Sequence, residues 1–150
     1  MLELELELSI GKIFGSISGV ITSLGVILGM YGANLQTHPI IISLISIGLS
    51  DSVSDALGIY YGVNVKSETS IAKRQAFFTF VSKLILPLMM IIPFIIVNKD
   101  LAVVINIIFG SSVILIISSK MFDNKNEIIS NLLICWAAIM VTFSVGKIIK

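Results

Sequence analysis

Two acids in the stretch "GLSDSVSDALGIYYG", Asp51 and Asp55, are the residues of this chain best suited to chemistry. They stand four residues apart inside a long apolar segment, and that spacing places both on one face of an α-helix. The face extends beyond the pair through Gly48, Gly58 and Gly62. A carboxylate at membrane depth costs about 2.5–3.5 kcal/mol on insertion scales, so it normally meets a partner or a watery path. The nearest basic residue is Lys83. On hydropathy its helix starts near Ala76, which puts Lys83 about two turns from the cytoplasmic end, where it would snorkel to water. On that reading no basic group at comparable depth neutralises the pair. The two carboxylates would then share a proton or bind a divalent cation such as Mn²⁺, Fe²⁺, Mg²⁺ or Ca²⁺. One pair is too few for a full shell of ligands, but a two-fold dimer would supply four carboxylates. The plainer alternative is hydrogen bonding of the aspartates to Ser50, Ser52, Ser54 or a neighbouring helix.

The elements that must carry these acids follow from the composition. Of 150 residues 56% are hydrophobic and 13% charged, against roughly 25% charged in a soluble domain. Several apolar runs reach the roughly 20 residues that cross a bilayer as a helix. They do not alternate as barrel strands would. The expectation is an all-α polytopic membrane protein, a single transmembrane domain over 1–150. Its five spans lie at about 10–33, 40–65, 76–97, 101–118 and 128–146, after an interfacial helical lead-in at 1–9, "MLELELELS". The first apolar run lacks the basic start and cleavage site of a signal peptide. Pro87 and Pro93 should kink or break the third span. Lys and Arg in short loops set orientation. Lys12, Lys66, Lys73, Arg74, Lys120 and Lys125 fall on one side, and Lys99, Lys147 and Lys150 on the other. This places the amino terminus in the cytoplasm and the carboxy terminus outside, in a prokaryotic cell membrane.

Gly11, Gly15 and Gly19 stand four apart, as do Gly58 and Gly62. Small residues at this spacing let helices approach closely, within one subunit or across a dimer. Glu68 follows the second span and would collect cations at the cytoplasmic mouth, or sit solvated in its loop. His38 reads as a solvated loop residue, Cys135 as a packed thiol, and Met89 and Met90 as packing groups. The net charge of +1 gives no sign of nucleic-acid binding.

The segments "FGSISGVITSLGVILGMYGA", "GLSDSVSDALGIYYG" and "LILPLMMIIPFII" resemble the first three helices of the vacuolar iron transporter family. There the first helix carries Asp-Gly before a Thr- and Gly-rich stretch, the second ends in an acidic, tyrosine-bearing turn, and the third has a pair of prolines. The resemblance implies a dimer with its ion path between the first two helices of each subunit. It also has departures. The family's first-helix aspartate falls at Ser18, its methionine ligand falls near Gly58 and Ile59, and its glutamate falls at Val63 or Ile59. The family's cytosolic metal-gathering domain shrinks to "VKSETSIAKR". Asp51 and Asp55 stand in place of those ligands.

The expectation is therefore a homodimeric transporter in the lipid bilayer that exports Fe²⁺ or Mn²⁺ from the cytoplasm, with exchange for protons as a possible coupling. It would hold the ion on Asp51, Asp55 and Glu68 and need no tightly bound cofactor. The competing expectation is a non-transporting scaffold whose aspartates serve helix association. An enzyme is not expected, since intramembrane aspartyl proteolysis needs aspartates facing each other across helices.

Overall fold

The computed structural model describes the backbone of residues 2–65 and 68–149, with side chains from residue 10 onward. Five helices fill the described chain: α1 (Leu2–Gly32), α2 (Thr37–Asn64), α3 (Thr69–Ile96), α4 (Lys99–Met121) and α5 (Lys125–Ile149). Each is long and apolar enough to cross a membrane. α1 starts at Leu2, so "LELELEL" is helical and continuous with the first span. The interfacial role expected of residues 1–9 rests on side chains outside the described set.

Helices form because in lipid the backbone must satisfy its own hydrogen bonds, which overrides the modest helix propensity of these Ile-, Val-, Ser- and Gly-containing runs. Where they end is decided locally. At the end of α1 the Leu35 N–H bonds the Met30 carbonyl (3.0 Å) and the Asn34 N–H bonds the Tyr31 carbonyl (2.9 Å). Asn34 has a φ of 60°. This is a Schellman stop, with asparagine where glycine is commoner. At the start of α4 the Asn98 side chain accepts from the Leu101 N–H (3.0 Å). α3 begins seven residues earlier than hydropathy suggested and includes "TSIAKRQ". Hydropathy marks the lipid-buried part of a helix, whereas the helix itself continues into the polar zone. α3 runs through Pro87 and Pro93 without a break.

α1 is the hub. It packs against α3, α5, α4 and α2, and the most extensive contact elsewhere joins α2 to α3. In keeping with this, 44% of the α1 span is buried within the protein, against 11% for α5. Val20, Leu24 and Ile27 of α1 meet Ile40 and Leu44 of α2, Met90 of α3, Ile114 of α4 and Ile139 of α5 in one fully buried cluster. Large apolar side chains such as Ile95, Leu133 and Val141 point outward, as a lipid-facing surface requires.

Glycines set the closest approaches. A Cβ on Gly15 would stand 2.6 Å from the Thr79 carbonyl oxygen, and one on Gly11 would strike the Gln75 carbonyl. Gly19 lies against Lys83 in the same way, at 3.3 Å. The row Gly11, Gly15 and Gly19 is thus an intrachain seam between α1 and α3. Among the described residues, Gly58 and Gly62 have nothing within 4 Å of an added Cβ.

Candidate functional site

α2 and α3 are consecutive long helices joined by a short connection, so they run antiparallel. Asp51 lies 13 residues before the end of α2 at Asn64, and Lys83 lies 14 residues after the start of α3 at Thr69. Asp51 and Lys83 therefore sit at one depth, near the middle of both helices, with Asp55 one turn further along α2. This corrects the expectation that Lys83 lies near the cytoplasmic end and that no basic residue reaches the aspartates. The early start of α3 adds two turns ahead of Lys83.

The Lys83 ammonium is 2.7 Å from Asp51 Oδ2 and in direct contact with Asp55 Oδ2. It also donates to Ser18 Oγ at 2.7 Å. Ser18 in turn donates to Asp55 Oδ2 at 2.9 Å. Three helices therefore converge on one polar cluster. Ser18 reaches it because the α1 glycine row lets α1 lie against α3, and Ser18 immediately precedes Gly19. The three donors of the ammonium have three acceptors, which is what a buried charge requires.

Exposure is uneven within the cluster. The Lys83 side chain is 3% exposed, while Asp51 and Asp55 are 31% and 21% exposed. The lysine closes the interior side and the carboxylates form the outer side. Every bond from Lys83 and Ser18 to the aspartates ends on an Oδ2 atom. Counting one ammonium against two carboxylates leaves one negative charge. Ser52 is buried and bonds back to the Leu49 carbonyl (3.0 Å), and Ser50 bonds to the Ser46 carbonyl (3.0 Å). These serines turn to their own helix and do not reach the aspartates.

Three shallow grooves of about 500, 360 and 550 Å³ run end to end along α1. The first and second share Ile21 and Thr22, and the second and third share Gly25 and Thr142. The line of grooves spans Ile10 to Met30, about 30 Å of helix, close to the thickness of a bilayer core. Ser18 lines the first of them, so the groove passes one member of the polar cluster.

Glu68 stands elsewhere. It is the N-cap of α3 and is exposed, with Ser70 Oγ donating to Oε2 at 3.3 Å. It precedes Lys83 by 15 residues, about 22 Å along the helix, so it does not join the aspartates. Among the described residues no group of three or more His, Cys, Asp or Glu is poised to hold a metal ion within one chain. The sequence signal for Ser18 was faint, a single small polar residue beside a glycine. For Lys83 the signal was plain, a lone lysine in an apolar run, but its depth depended on where α3 starts. Compared with known proteins, the chain matches no family model, no curated protein and no solved structure.

Proposed function

We propose that the protein is a homodimeric membrane transporter of divalent cations, with Fe²⁺ and Mn²⁺ as the substrate class and Asp51 and Asp55 as its ligands. One observation carries this reading: the two carboxylates are partly exposed at mid-membrane while their lysine partner is sealed inside. A triad kept only for structure would be enclosed on all sides, because an open carboxylate edge in lipid is costly. The charge count supports the dimer. Each chain contributes one net negative charge, so two clusters facing each other across a two-fold axis carry two. One divalent ion balances them. The uncovered groove along α1 gives a second copy a surface of bilayer length. The resemblance in the first three helices points toward transition metals. Glu68 collects ions at the end of the α2–α3 hairpin, and transport runs outward from the cytoplasm.

Mn²⁺ uptake into proteoliposomes tests this. The parent chain should give metal-dependent flux, and Asp51→Asn and Asp55→Asn should each abolish it without loss of fold. Normal flux in both variants refutes the assignment of the site. The second reading, a scaffold, is favoured by the complete internal pairing of Lys83. It wins if the parent moves no divalent ion and the asparagine variants lose the dimer.

A further inference from the structure

We propose that the Lys83 ammonium is a resident counter-ion of the Asp51–Asp55 pair, which competes with the incoming cation and sets how many divalent ions the site accepts. The inference rests on the transport reading for the identity of that cation. It deepens the reading by naming the residue that limits occupancy.

The geometry supports it in three ways. First, the ammonium touches Oδ2 of both aspartates, so it sits where a cation bridging the pair on its inner side would sit. Second, it is held there by three acceptors, Asp51, Asp55 and Ser18, and is almost wholly buried. Third, among the described residues no other basic side chain pairs with either aspartate. An ion approaching from the open side therefore meets carboxylates already half neutralised. Attraction at close range in a low dielectric scales directly with the charge left over. With Lys83 in place each chain offers one negative charge, and without it two. The number of divalent ions per pair of chains should follow that count.

This differs sharply from a lysine that merely tethers α2 to α3. Loss of a tether loosens the aspartates and weakens binding. Loss of a counter-ion frees them and strengthens it. The decisive case starts from Asp55→Asn, in which Lys83 and Asp51 cancel. That variant should bind no Mn²⁺. Adding Lys83→Met to it restores one negative charge per chain and should restore binding. The double variant has the same charge balance as the parent, so it is suited to fold where Lys83→Met alone is not.

The experiment is calorimetric titration of Mn²⁺ into the full chain in nanodiscs, with fold and dimer checked by light scattering. The expected counts per two chains are one for the parent, two for Lys83→Gln, none for Asp55→Asn, and one for Asp55→Asn with Lys83→Met. A folded double variant as empty as Asp55→Asn overturns the counter-ion role. So does a folded Lys83→Gln that still takes one ion per two chains. If Lys83→Gln fails to fold, the double variant decides alone. A parent that binds nothing, beside a Lys83→Gln or double variant that binds, refutes transport by the native site but upholds Lys83 as the group that blocks it. No binding in any folded form overturns both.

Discussion

Lys83 on α3 and Asp51 on α2 lie 2.7 Å apart, nitrogen to oxygen, at the middle of an antiparallel helix pair. The contact holds together the most extensively packed pair of helices among the described residues through a charge cluster near mid-helix. Removing one partner of such a pair leaves the other charge uncompensated, which costs about 3–5 kcal/mol when the site is fully buried. Here the aspartates keep some exposure, so Lys83→Met should destabilise by about 3 kcal/mol, at the low end of that range. Unfolding in mixed micelles measures it, and a loss below about 1 kcal/mol would mean that the ion pair is not formed.

The glycine seam between α1 and α3 makes a contrast within one chain. Gly15→Leu places a side chain against the Thr79 backbone, which can shift only by separating the helices. It should lower the melting temperature sharply and, by moving Ser18, perturb the charge cluster. At Gly58 an added Cβ has open space among the described residues, so Gly58→Leu should leave the melting temperature of the monomer nearly unchanged. If dimer formation is lost in Gly58→Leu alone, that face belongs to the partner contact. Equal melting of Gly15→Leu and the parent would dissolve the seam.

Asn34 holds a left-handed conformation at the end of α1. An L-residue without a short polar side chain is strained there by roughly 1–2 kcal/mol, while glycine adopts it freely. Asn34→Ala should therefore destabilise by about 1 kcal/mol, and Asn34→Gly should match or exceed the parent. Equal stability of the alanine and glycine variants would contradict the Schellman stop.

Five spans place the two ends of the chain on opposite sides of the membrane. The loop bias in Lys and Arg predicts a start inside the cell. Reporter fusions after Lys150 should show an external end, and a tag inserted near Ser70 should be cytoplasmic. A cytoplasmic Lys150 would reverse the orientation or remove a span.

Asn106 on α4 is buried, and its Nδ2 donates to the Met90 carbonyl at 3.0 Å, nearly two turns before the end of α3. Its Oδ1 has no partner among the described residues. Asn106→Ala leaves the Met90 carbonyl without this donor and should cost about 1–2 kcal/mol. Unfolding of the variant against the parent checks this, and an unchanged midpoint would mean that the bond contributes nothing net.

The sequence by itself determined five membrane-length helices, the depth of Asp51 and Asp55, and their shared face. Each depends on local quantities: the length of an apolar run, and the 3.6-residue period that aligns positions four apart. It also marked Gly11, Gly15 and Gly19 as a close-packing row, without saying what they pack against. Only the tertiary structure decided that this row faces α3, that Ser18 reaches Asp55, and that Lys83 pairs with both aspartates from inside. These facts depend on register between helices. Register is set by where α3 starts in the polar zone, at Thr69, and by backbone contact along the glycine seam. Neither leaves a trace in hydropathy, because a lysine in an apolar run reads alike whether it turns back toward water or crosses to a carboxylate on the next helix.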